Sequence, residues 1–80
     1  MSDNVKPDAL KNLFRHRLRE LRETRGLSQS DIARALEVPP SYICALEAGS
    51  KSPNLSTIAR LATALEVDPD ELLSREKISA

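Results

Sequence analysis

An all-α fold is what this sequence predicts: five short helices packed as one compact orthogonal bundle. Three observations carry that reading. Leu, Ala, Arg and Glu abound while β-branched residues are sparse, a mix that favours helices over strands. Apolar residues recur at three- and four-residue spacing rather than in alternation. Gly and Pro punctuate the chain at short intervals, and no heptad pattern lasts long enough for a coiled coil. The 80 residues suffice for one domain, 40% hydrophobic and 30% charged, with Phe14 and Tyr42 as its aromatics. Leu, Ile, Val and Ala must therefore build the core. A domain this small buries only roughly 60% of its unfolded surface, which favours pairing with a second copy.

Residues 1–8 read as a polar arm ahead of a domain spanning 9–75. Asp8 is placed to cap a first helix starting near Ala9, in which Leu10, Phe14, Leu18 and Leu21 share one face. Lys11, Arg15, Arg19 and Arg22 gather on the neighbouring flank. Gly26 then ends the helix in a left-handed conformation. Ser28 with Asp31 three residues on resembles a capping box. It opens a two-turn helix with Ile32, Ala33 and Leu36 inward, ending at Leu36 or Glu37. Val38-Pro39-Pro40 breaks the pattern, and a third helix starts at Pro40, where a first-turn proline is tolerated. That helix runs to Ala48, with Gly49 as its cap. Ser50-Lys51-Ser52-Pro53-Asn54 is a turn cluster. Asn54 caps a fourth helix whose Leu55, Ile58, Ala59, Leu61, Ala62 and Leu65 form a broad apolar face. Asp68, Pro69 and Glu71 together start a short fifth helix holding Leu72 and Leu73. Residues 76–80 are expected to fray.

Charge and composition narrow the function. Net charge is zero, but residues 1–36 hold eight Lys/Arg against five Asp/Glu, and residues 37–80 hold four against seven. Such a polarised molecule can turn a basic half toward a polyanion. One cysteine, Cys44, and one histidine, His16, make neither an internal disulfide nor a metal site. No apolar run reaches membrane-spanning length, and the first residues lack the apolar stretch of a signal peptide. A cytoplasmic protein without cofactor, membrane or small-molecule ligand is expected. No nucleophile–base pair, phosphate-cradling glycine loop or ligand cluster points to an enzyme.

The informative stretch is residues 27–53. Two short helices joined by a tight turn present the second as a rod that fits a DNA major groove, about 12 Å across. On a helical wheel Pro40, Ser41, Cys44, Ala45 and Ala48 occupy an arc of about 140°, opposite Tyr42, Ile43, Leu46 and Glu47. Lys11, Arg15, Arg19 and Lys51 are candidate phosphate contacts, and the hydroxyl of Tyr42 is another. Leu72, Leu73 and Ile78 either complete the core or form a dimer patch, with at least one expected to face a partner subunit.

The ordered spacing of Leu21-Arg22, Leu27-Ser28-Gln29, Ile32-Ala33, Tyr42-Ile43, Leu46-Glu47-x-Gly49 and Pro53 resembles the lambda-repressor-like, or Cro/XRE-type, helix-turn-helix regulators. Leu55, Ile58, Leu61, Ala62, Leu65 and Asp70-Glu71-Leu72-Leu73 extend the resemblance over roughly residues 10–73. It implies a transcriptional regulator bound as a homodimer to a pseudo-palindromic site on double-stranded DNA. It implies that Gln29, with Ser28 beside it, meets phosphate, that Pro40, Ser41 and Ala45 stand where bases are read, and that Arg22 and Glu47 pair. The departure lies on the reading face: the family usually carries Gln, Asn, Arg, Lys or Thr there, and this chain offers one hydroxyl. A protein-interaction or antitoxin-like module on the same scaffold is the alternative.

Overall fold

Four of the five expected helices form as α-helices, and all four close in the same way. A computed structural model describes residues 7–74. It contains α1 (Pro7–Thr24), α2 (Gln29–Leu36), α3 (Pro40–Ala48) and α4 (Leu55–Leu65), followed by a single 3₁₀ turn, Pro69–Leu73. The residue that ends each helix is left-handed: Gly26 (φ 69°), Glu37 (61°), Gly49 (84°) and Glu66 (61°). The next N–H reaches back to a carbonyl of the last turn. Leu27 donates to Arg22 at 3.1 Å, and Val38 to Ala33, Ser50 to Ala45 and Val67 to Ala62 at 3.0 Å each. Leu27, Val38 and Val67 then pack against the core, as an apolar residue after a Schellman closure does.

The helix starts use different devices. In α2 the Ser28 hydroxyl accepts from the Asp31 N–H at 3.0 Å while the Asp31 carboxylate accepts from the Ser28 N–H at 2.8 Å. In α4 Asn54 accepts from the Thr57 N–H at 2.7 Å. In α3 Pro39 supplies no side-chain cap, and Pro40 occupies the first turn.

The core comprises Phe14 and Leu18 of α1, Ile32, Ala33 and Leu36 of α2, Ile43 and Leu46 of α3, Leu61, Ala62 and Leu65 of α4, and Leu72. Polar side chains join the layers. The buried Arg17 donates to the Glu71 carbonyl at 2.8 Å and to Glu20 at 2.7 Å. Arg25 meets the Glu66 carboxylate and carbonyl at 3.1 and 3.0 Å. Arg60 donates to the Leu36 carbonyl at the C-terminus of α2. Among the described residues no helix is long and apolar enough to cross a membrane.

Four expectations need correction. The fifth helix is one 3₁₀ turn, because its five residues cannot close more than a turn before Ser74 extends. Helix α1 already includes Pro7 and Asp8, so Asp8 complements the helix dipole from the first turn instead of capping it; the rest of the expected arm, residues 1–6, lies outside the described residues. Leu10 is 42% and Leu55 83% exposed, since each sits at the start of its helix beyond the reach of the core. Leu72 is fully buried and is core rather than a dimer contact. Residues 75–80, with Ile78, lie outside the described residues.

Candidate nucleic-acid interface

Helices α2 and α3 meet through one buried polar cluster. The Arg22 guanidinium, from α1, donates from Nε to Glu47 Oε2 at 2.6 Å and from Nη2 to Oε1 at 3.0 Å. Its Nη1 donates to the Leu27 carbonyl at 2.8 Å. This fork is the bidentate geometry that makes arginine–carboxylate pairs directional. Gln29, at the start of α2, donates from Nε2 to Glu47 Oε1 at 3.0 Å. Glu47 thus gathers α1 and α2 onto α3. Its hydrogen bond, more than its charge alone, raises the Arg22 pKa above the ordinary value against an opposing desolvation. The forked pair fixes α3 in rotation about its own axis.

That rotation decides what faces outward. Ile43, Leu46 and Glu47 are buried, while Pro40, Ser41, Cys44 and Ala48 are exposed and Ala45 is half-buried beside them. The sequence wheel and the structure therefore agree on the outward arc. Helix α3 carries no charged residue apart from Glu47, so the exposed arc is uncharged. Its polar side-chain atoms are one hydroxyl, on Ser41, and the free thiol of Cys44.

The residues expected at phosphate are dispersed around this rod. The Ser28 oxygen is engaged in the capping box, and its hydroxyl also bonds the Asp31 carboxylate. Gln29 gives one amide proton to Glu47 and retains the other. Tyr42 is half-buried, its hydroxyl 3.4 Å from Thr57 Oγ1 of α4, so it braces α3 on the side away from Ser41. Arg19 is paired with Glu23 at 3.1 Å on an exposed surface. Arg15 donates to Asn12 at 3.0 Å, and its stem lies against Gly49: a Cβ there would stand 3.0 Å from Arg15 Cδ. Lys51 is exposed in the α3–α4 turn. Lys11 lines an apolar groove of about 320 Å³ together with Leu10, Pro53, Leu55 and Leu73.

Two contributors escaped the sequence reading. Gln29 as a ligand of Glu47 had no sequence signal beyond its motif position. Arg17 had one: it falls about 20° from Leu10 on the wheel, at the edge of the apolar stripe. Among the described residues no group of three His, Cys, Asp or Glu is placed to hold a metal ion.

Two short helices crossing at a tight turn, clamped by a buried ion pair and leaving one face of the second bare, define a helix-turn-helix protein. The helix-turn-helix domain family matches residues 13–74, and the chain belongs to that family. It is 42% identical over 57 residues to the HTH-type transcriptional regulator DdrOP3 of Deinococcus deserti, covering 71% of this chain and 44% of that protein. It is 36% identical over 62 residues to the cryptic phage CTXphi transcriptional repressor RstR of Vibrio cholerae, covering 78% of this chain and 56% of that one. The chain thus spans about half the length of these two relatives. Among solved structures, the restriction-modification controller protein C.AhdI of Aeromonas hydrophila superposes with a TM-score of 0.74 at 42% identity, over 78% of this chain and 94% of that one.

Proposed function

We propose that this chain is the DNA-binding domain of a transcriptional regulator, acting in the cytoplasm as a homodimer that inserts α3 of each copy into the major groove of a pseudo-palindromic operator. One observation carries the reading: the arc Pro40, Ser41, Cys44, Ala45 and Ala48 is left uncovered on a helix whose opposite face is locked by Glu47. The relatives with regulator, repressor and controller names support it. On this reading Ser28 and Gln29 meet phosphate at one edge of the groove, and the N-terminus of α2 adds its dipole. Lys51 and Arg15, near the C-terminal end of α3, meet phosphate at the other edge. Lys11 extends that basic edge, and Arg19 contributes less because Glu23 already balances it.

A second copy has to leave both α3 helices free and about 34 Å apart, one helical turn of DNA. The groove of Leu10, Leu55 and Leu73 holds all the large exposed apolar side chains of the described residues, and it is the surface such a copy would cover.

The test is selection of bound duplexes from a random pool, followed by a salt titration of the winner. The expected result is a two-fold symmetric site whose affinity falls steeply with salt, as counterion release requires. Replacing Arg15 by Ala should weaken all sequences alike and lower the salt slope by about one. Enrichment of no sequence, together with capture of a protein partner that survives nuclease, would instead favour an interaction module, for which the uncharged α3 arc is the motivating observation.

A further inference from the structure

The exposed arc of α3 lacks the groups that ordinarily read bases. Bidentate recognition of guanine needs Arg or Lys, and of adenine Asn or Gln. The arc has none, and the one charged residue of α3 is buried and saturated by Arg22 and Gln29. Main-chain donors at its leading edge are also depleted. Pro39 and Pro40 have no N–H, and the Tyr42 N–H donates to the Pro39 carbonyl at 2.9 Å. What the arc does have is the methyl groups of Ala45 and Ala48, the Pro40 ring and the Cys44 thiol, with no long side chain to hold the helix away from the groove floor.

One feature of a base pair in the major groove is apolar, the C5-methyl of thymine. We infer that α3 reads its half-site chiefly through thymine methyls packed against Ala45, Ala48 and Cys44, with Ser41 supplying a single hydrogen bond. The inference rests on the DNA-binding reading above and names the base chemistry which that reading leaves open. Small side chains let the helix backbone approach closely, so a methyl in the groove displaces water from an apolar surface already present on the protein. A cytosine at the same place presents C5–H where thymine presents the methyl, so it forfeits the apolar contact and thymine is favoured.

Thymine-to-deoxyuridine replacement, one position at a time in the selected operator, tests this without altering the protein. Uracil keeps every hydrogen-bonding group of thymine and removes only the methyl. Each contacted methyl should be worth about fourfold in affinity, the value of one buried methylene, at two or more thymines per half-site. Replacement outside the half-sites should change nothing. The Ala45→Ser protein should lose part of the discrimination at one of those thymines, and a double-mutant cycle removes any effect of the substitution on folding. Tight binding of the operator with deoxyuridine tolerated everywhere would overturn methyl reading while leaving DNA binding intact. So would half-sites lacking thymine, or discrimination confined to spacer positions, which would mark reading by DNA shape. Failure to bind any duplex would instead sink the DNA-binding reading itself.

Discussion

Helices α2 and α3 are nearly equal in length, adjacent in the chain and packed on each other, yet they start by different means and only α3 carries a buried carboxylate that gathers its neighbours. Helix α2 is secured at its ends. Ser28 and Asp31 close the start reciprocally, Glu37 closes the finish, and Arg60 takes the Leu36 carbonyl. Helix α3 has no side-chain cap at its start and is secured through its buried face, by Ile43, Leu46 and the Glu47 cluster. The difference suits their positions. A helix start held by its own residues can lie along a phosphate backbone, whereas a reading helix must keep its outer face bare and so must be gripped from behind. Both helices bury an apolar face and end in the same closure; what differs is the start, held by local residues in α2 and without a side-chain cap in α3.

The largest expected effect breaks the grip on α3. Glu47→Ala leaves Arg22 and Gln29 without their acceptor in a buried site and should destabilise the domain by about 3–5 kcal/mol, the cost of stranding one partner of a buried pair. A denaturant titration followed by circular dichroism checks it. A loss below about 1 kcal/mol would mean that the cluster is not what holds α3. Replacing both Arg22 and Glu47 with apolar residues should recover much of that loss, because no charge is then stranded.

Next comes the closure of α3. Gly49→Ala forces a side chain into a left-handed residue, at about 1–2 kcal/mol, and also pushes Arg15 from its 3.0 Å approach. Gly26→Ala pays the same backbone strain with open space around it. The Gly49 variant should therefore melt lower than the Gly26 variant, and equal melting would show that the Arg15 contact yields freely.

Helix α2 should respond more weakly to the loss of its cap. Ser28→Ala is expected to cost about 1 kcal/mol, well under the Glu47 effect. If it cost as much, the contrast between local and tertiary support would collapse.

The smallest effect is a pH dependence. The Ser28 backbone N–H, then its hydroxyl, hold the Asp31 carboxyl below its ordinary value against an opposing desolvation, with Arg34 adding the least. A carboxylate depressed on folding contributes stability above its unfolded pKa, about 3.9, and that contribution is lost as pH falls through the lower folded value. Stability curves of the parent and Asp31→Asn proteins should differ at neutral pH and converge below about pH 4. A constant gap down to the lowest pH would assign the effect to geometry rather than charge.

The contrast between the two helices also explains what could be read in advance. The start of α2, both ends of α3 and the Asn54 cap of α4 were legible because a cap links residues three or four apart, and such links are visible as spacing. The outward arc of α3 was legible because helical periodicity alone separates Ile43 and Leu46 from Ser41 and Ala45. The exposure of Leu10 and Leu55 was not, since a wheel records angle and ignores how far along its axis a helix is covered. Whether Leu72 belongs to the core or to a dimer patch stayed open, because it lies in a turn too short to show a period, and the structure settles it as core. Gln29 pointed toward phosphate in the motif, but its bond to Glu47 joins residues 18 apart, and no local rule reaches that far.

From its order of residues alone this chain determined where α2 and α3 begin and end, that the fold is all-helical, and which face of the third helix is small and uncharged, because backbone hydrogen bonding and side-chain periodicity act over a few residues. Only folding in three dimensions decided that Glu47 would collect Arg22 and Gln29, that Arg17 would be drawn inside to the Glu71 carbonyl, and that Leu10, Leu55 and Leu73 would meet in one groove. Those meetings join distant segments, and their partners are chosen by packing geometry rather than by anything a neighbouring residue can specify.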